Sequence, residues 1–157
     1  MDERDRRHLT HAVDLAEAAV EAGDEPFGSV LVGGAGTVLQ TAVNEVVHRN
    51  ATHHPELTLA RWAGDHLDAD ARAAATVYTS GEHCPMCSAA HAWVGLGRIV
   101  YASSSAQTAR WVTELGGTTS AVAPLPITAV VPGIPVDGPD EELAERVHEL
   151  HRRFRRR

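Results

Sequence analysis

Cys84 and Cys87 are the only two cysteines of this 157-residue chain, and they stand three positions apart in EHCPMC. A Cys-x-x-Cys pair has three readings: a redox couple, half of a metal site, or coincidence. A redox pair belongs just after the first strand of a thioredoxin-like unit, and this one comes much later. A zinc site needs at least one more ligand, and His54-Pro55-Glu56 offers it, with Glu56 28 residues ahead of Cys84. Both segments share one local design. The residue before a proline is kept out of the helical region, while proline itself suits a first helical turn. His54 and Cys84 are therefore expected at helix N-caps, with Pro55 and Pro85 opening the helices. Cys87 then falls at the third helical position, on the side of Cys84. The positive end of the helix favours the thiolates that zinc requires. One histidine and two thiolates leave a fourth tetrahedral position open, which marks a catalytic site rather than a closed structural one. A catalytic zinc lowers the pKa of water to about 7. Glu56, two residues from His54, is placed to take that proton and carry it to a leaving group.

These residues must be positioned by the elements around them. Leu9, Ala12, Val13, Ala16, Ala19 and Val20 recur at three- and four-residue spacings, predicting an amphipathic helix over 5–22 that Gly23 ends. FGSVLV (27–32) and TVLQTAV (37–43), separated by GGAG, predict a hairpin. A polar stretch then leads into a helix through Leu57, Leu59, Ala60 and Trp62. ATVYTS (75–80) reads as a third strand, CPMCSAAHAWVGLG as a helix, RIVYAS (98–103) as a fourth strand, and 105–115 as helical. ITAVV (127–131) is expected to be the fifth strand, within a proline-rich stretch, and 139–154 the last helix. Strands alternating with helices predict an α/β fold with a mixed five-stranded sheet covered on both faces.

Composition narrows the function. A net charge of −7 argues against a general nucleic-acid binder. The local exception is HRRFRRR at 151–157, which reads either as a phosphate contact or as a solvated helix end. No apolar run approaches the roughly 20 residues that span a bilayer, and the charged N-terminus lacks a secretory core. A cytoplasmic protein with no membrane partner is the expectation.

The pattern His-x-Glu followed by Cys-x-x-Cys resembles that of the zinc-dependent cytidine deaminase-like superfamily. Within it, the chain looks most like the small bacterial nucleobase and nucleoside deaminases of the guanine deaminase type. EPFGSVLV (25–32), Asn44, HPELTLAR (54–61), VYTSGEHCPMC (77–87), Trp93 and RIVYA (98–102) carry the likeness, which runs from about residue 5 to 103. It implies a three-layer α-β-α sandwich forming one deaminase domain over 1–157, with a flexible basic tail from about 152. It also implies one Zn2+ per chain held by His54, Cys84 and Cys87, with Glu56 as proton shuttle. Asn44 would hydrogen-bond the base and Phe27 would line its pocket. The implied reaction is hydrolytic deamination of a free nucleobase by a homodimer, with guanine or a related purine first. Cytosine, an aminotriazine or a nucleoside are the alternatives, and tRNA adenosine deamination is a further one.

Two residues depart from the family pattern. Pro55 stands where a small residue is usual, and it suits a helix start. His83 stands where proline usually precedes the first cysteine. It could contact substrate or fill the fourth metal position, which would make the chain a non-catalytic zinc module. From the residues alone, Asn44 could simply satisfy a strand end, and Phe27 could be ordinary core. Trp93, six residues past Cys87, reads as core or a subunit contact, with stacking on a base as the alternative.

Overall fold

The computed structural model describes residues 1–118 and 120–157. Helix α1 (Glu3–Ala22) starts at a capping box between Asp2 and Asp5 and stops at Gly23, whose φ of 100° suits a residue without Cβ. Its periodic residues Leu9, Ala12, Val13, Ala16, Ala19 and Val20 are all buried. The hairpin follows as β1 (Gly28–Val32) and β2 (Val38–Val43), then α2 (Pro55–His66), α3 (Ala69–Ala74), β3 (Thr76–Gly81) and α4 (Pro85–Trp93). The remainder is β4 (Arg98–Ser103), α5 (Ser105–Glu114), α6 (Ile127–Val130), β5 (Val136–Asp137) and α7 (Glu141–Arg155).

The five strands form one sheet in the order β2-β1-β3-β4-β5. Strand β1 runs antiparallel to both β2 and β3, while β3, β4 and β5 are parallel. Alternation along the strands divides the core. Val30, Val32 and Tyr78 face α1 and α7 with Val100 and Ala102, whereas Leu31 and Val77 face α2 with Leu59, Ala60 and Ala63. The expected three-layer mixed sheet is the architecture found.

Gly28 allows the α1 layer to approach β1 closely. A Cβ there would lie 2.5 Å from the Ala16 amide nitrogen and 2.6 Å from the Ala12 carbonyl oxygen, both backbone atoms. Near the N-terminus of α1, Asp5 accepts two bonds from the Arg98 guanidinium, at 2.7 and 2.9 Å, and one from the Tyr78 hydroxyl at 2.8 Å. Arg98 also binds Asp137, so one guanidinium ties α1 to β4 and β5. Its bonds hold the Asp5 carboxyl far below the usual carboxylate range.

Three expectations need correction. ITAVV is not the fifth strand: Pro126 caps the single turn α6, and the two-residue β5 takes the sheet edge. The segment's amides are satisfied locally, Ile127 donating to Glu82 Oε1 and Val131 to the Ile127 carbonyl, so no ladder is needed. The short α3, capped by Asp68, was not anticipated. The basic stretch from 152 is helical through Arg155, with Arg152 bound to Glu149 and Arg153 to Glu17, rather than a loose tail. No helix among the described residues is long and apolar enough to cross a membrane.

The last helix buries a histidine. His151 is 3% exposed, edge-on to Phe27 at 5.5 Å between ring centroids and beside Trp111 at 6.0 Å. Burial first, then the nearby charges of Arg155 and His148, lower its pKa from 6.5 to about 4. Between those values the unfolded chain takes up a proton that the folded chain refuses, so stability falls as pH falls. The contribution is fully present above pH 6.5 and is lost on approaching pH 4. It amounts to about 3 kcal/mol. Urea unfolding of wild type and His151→Leu across this range should show the variant less acid-sensitive by that amount; parallel profiles would refute it.

Candidate metal centre and active site

Both proline-opened helices start as their sequences require. His54 is the N-cap of α2, at φ −83° and ψ 141°, and Cys84 is the N-cap of α4, at φ −66° and ψ 166°. Neither side chain caps its own helix, so the imidazole and the thiol remain available as ligands. The His54 and Cys84 carbonyls accept the first helical bonds, from Thr58 at 3.1 Å and Ser88 at 2.9 Å. Helices α2 and α4 pack side by side over the Leu31 face of the sheet, with Ala90 and Val94 against the α2 cluster. Their N-termini therefore meet at one place.

There His54 Nδ1 lies 3.6 Å from Cys84 Sγ and 3.6 Å from Cys87 Sγ. Ideal tetrahedral zinc, with bonds of about 2.3 Å to sulfur and 2.0–2.1 Å to nitrogen, requires a nitrogen–sulfur separation of about 3.6 Å. The donor set fits the ion without rearrangement. Among the described residues, His54, Cys84 and Cys87 form the one such group able to hold a metal. Electrostatics favours a cation as well. The Cys84 thiol is held down to about 4, first by the hydrogen bond from Cys87 and then by His54, against the cost of burial. Cys87 is pushed up by Cys84 and by burial, and His54 is raised to about 9, chiefly by Cys84. At neutral pH the Cys84 thiolate therefore faces a His54 imidazolium, whose proton a bound cation would displace.

Glu56 lies in the first turn of α2 and is 5% exposed. Its Oε1 accepts from Thr79 Oγ1 at 2.7 Å, and Ser29 Oγ donates to Thr79 Oγ1 at 2.9 Å. Ser29 and Thr79 are cross-strand partners on β1 and β3, so the sheet register places both hydroxyls under the carboxylate. Burial raises the Glu56 pKa, opposed in part by His54 and Thr79. A carboxylate in such a place can both accept and return a proton. Neither hydroxyl was singled out from sequence, though the signal exists. Both share the strand face of Leu31 and Val77, where apolar side chains would otherwise continue.

Asn44, just past β2, is 1% exposed. Its backbone amide donates to the Phe27 carbonyl at 2.9 Å and its Oδ1 accepts from the Val46 amide at 3.0 Å. Nδ2 is buried and has no partner among the described residues. Leaving such a group unpaired costs about 1–3 kcal/mol. Asp24 fixes the same loop, accepting from the Val47 amide at 2.8 Å and pairing with His48 Nδ1 at 2.6 Å. Half-buried Phe27 lies over Gly81, where a Cβ would come within 2.9 Å of its ring.

The other expected residues fall elsewhere. His83 is buried but stands outside the ligand group; its ring meets that of His91 edge-on at 5.2 Å. That packing offers no support for a closed four-ligand site. Trp93 ends α4 at 86% exposure, so it is neither core nor part of the buried site in this chain. Glu82, not foreseen, accepts from the amides of Ser105 at 2.8 Å and Ile127 at 2.9 Å. It thereby ties the starts of α5 and α6 to the ligand-bearing loop.

Comparison with known proteins agrees with this geometry. The chain is 32% identical over 105 residues to a probable cytosine deaminase of Schizosaccharomyces pombe, covering 67% of this chain and 64% of that one. It is 35% identical over 96 residues to guanine deaminase of Bacillus subtilis, covering 60% and 62%. The match thus spans less than two thirds of either relative. The structure of guanine deaminase from Nitrosomonas europaea shares the fold, with a TM-score of 0.69 over 96% of this chain and 84% of that one at 21% identity. Residues 2–103 match the cytidine and deoxycytidylate deaminase zinc-binding region, and the chain belongs to that family.

Proposed function

We propose that this chain hydrolytically deaminates a free amino-substituted nucleobase, guanine or a related purine, with release of ammonia. The observation that carries the reading is Glu56. A carboxylate with a raised pKa is buried under two hydroxyls, two residues from a ligand of a three-donor metal group. A structural metal site has no need of it. Zinc held by His54, Cys84 and Cys87 supplies the Lewis acidity that makes water a nucleophile at neutral pH. Glu56 takes the proton of the attacking water as oxygen adds to the carbon bearing the amine. It gives that proton to the ring nitrogen, then takes the second proton from the added oxygen and gives it to the departing nitrogen. The carbon–nitrogen bond breaks, and a carbonyl and ammonia remain. Thr79 keeps the carboxylate in place through both transfers. Asn44, whose free Nδ2 can only donate, holds an acceptor atom of the base, and Phe27 packs against the ring.

The guanine deaminase relative favours a purine, and the probable cytosine deaminase keeps cytosine as the second reading. A tRNA substrate is a further reading: Arg152 and Arg153 are engaged by Glu149 and Glu17, Arg155, Arg156 and Arg157 are exposed, and the net charge of −7 counts against it. Exposed Trp93 is the apolar surface that supports a homodimer.

Two measurements test the site. Protein purified with zinc should carry one ion per chain by elemental analysis. Cys87→Ser should lower that content to a small fraction, and undiminished zinc would remove Cys87 from the ligands. Ammonia release from guanine, adenine, cytosine, their nucleosides and aminotriazines should single out one base. Glu56→Gln should retain zinc while turnover drops by about a hundredfold or more; full activity in that variant would take Glu56 out of the mechanism.

A further inference from the structure

Building on the deaminase reading, we propose that His53 is a specificity-determining residue that, with Asn44, reads one polar edge of the bound base. The connection from β2 to α2 begins at Asn44 and ends at His53, directly before the ligand His54. Its two ends are joined. The Glu45 amide donates to the His53 carbonyl at 3.1 Å, which sets Asn44 and His53 on neighbouring turns of backbone beside His54. Asp24 anchors the middle of the connection through the Val47 and His48 amides and the His48 ring.

Most polar groups here are spent locally. The His53 amide donates to the Asn50 carbonyl at 3.0 Å and the His54 amide to the Thr52 carbonyl at 2.9 Å. Asn50 Oδ1 accepts from Thr52, and Asn44 Oδ1 from Val46. Within this connection two side-chain nitrogens are buried without a partner among the described residues: Asn44 Nδ2 and His53 Nδ1. The rings of His83, His91 and His151 also bury a nitrogen without a partner among the described residues, but they pack against other rings. His91 Nε2 meets the Gly97 carbonyl at 2.8 Å, and His48 Nδ1 meets Asp24. Paired orphans flanking a metal ligand are what a polar ligand would complete.

Their chemistry defines the class of partner. With Oδ1 committed to Val46, Asn44 presents donors only and meets a ring nitrogen or a carbonyl oxygen. The imidazole Nδ1 of His53 adds a single hydrogen-bonding atom beside it. The ligand is a planar heteroaromatic base with two polar atoms along one edge. Exchange of one such atom for carbon is the discriminating change, because a site built to hydrogen-bond a group rejects the analogue lacking it.

The test uses zinc-loaded wild type, His53→Phe, which fills the volume without the nitrogens, and His53→Asn, which keeps a polar atom near Nδ1. Affinity for guanine, 7-deazaguanine, 9-deazaguanine and cytosine would be measured by calorimetry, alongside kcat and KM for each base that turns over. His53→Phe should keep zinc and helix content and bind the preferred base about tenfold or more weakly. It should also lose the distinction between that base and one analogue, while His53→Asn restores part of it. Unchanged affinities, or a uniform loss that preserves every ratio, would overturn the assignment of His53 alone. A wild type that binds and deaminates none of these bases would overturn the parent reading, and His53 with it.

Discussion

Everything at the centre depends on two helices beginning at the same point. A metal ligand set drawn from residues 30 and 33 positions apart in sequence can converge only if its backbone is fixed before the side chains act. Proline does this twice. Pro55 and Pro85 set the first helical residue and keep the preceding residue extended, so His54 and Cys84 project from N-caps instead of lying along a helix. Packing of α2 against α4 over the sheet then brings the two caps to one site. The nitrogen–sulfur separations of 3.6 Å are the outcome of that backbone geometry. They match the tetrahedral requirement without help from flexible side chains.

The same sheet supports the carboxylate to which the proposed acid–base chemistry is assigned. Burying a carboxylate is costly unless it is bonded, and Glu56 is bonded through Thr79, which is in turn bonded by Ser29. This chain of hydroxyls exists because β1 and β3 are antiparallel neighbours in the register that pairs Ser29 with Thr79. A slip of β1 by one residue would turn Ser29 toward α1 and bring an apolar side chain opposite Thr79. Register is therefore a chemical constraint here as well as a packing one. Gly28, pressed on α1, and Arg98, clamped between Asp5 and Asp137, are among the contacts that fix it.

Sequence reveals this machinery unevenly, and the reason is physical. His54, Pro55, Glu56, Cys84 and Cys87 are legible because their roles are local: a proline beside a ligand dictates its own backbone. Helix α1 and strand β4 are legible because one periodicity governs each. ITAVV misleads because β-branched residues carry a strand signal, while Pro126 and the distant Glu82 carboxylate decide the matter in favour of a helical turn. Trp93 reads in sequence as core or a subunit contact, and its exposure at the end of α4 removes only the first of these. Arg146 and Arg153 look free in one dimension and are paired in three, through Glu17 on α1.

Chemistry and recognition are thus built from different materials. The ligands and Glu56 sit on helix starts held by the sheet, where a few local rules fix them. The proposed recognition surface comes from the Asn44–His53 connection and from Phe27, which lies over Gly81 and against His151 of α7. Those pieces meet only through contacts distant in sequence, and their free polar atoms depend on which other groups have already been satisfied. A signature of His-x-Glu and Cys-x-x-Cys can therefore specify a reaction while saying little about its substrate. The family match ends at residue 103, whereas the helix that supports Phe27 begins at Glu141. On the proposed reading, substrate choice would change through that later segment, and through single positions such as His53, without disturbing the metal site.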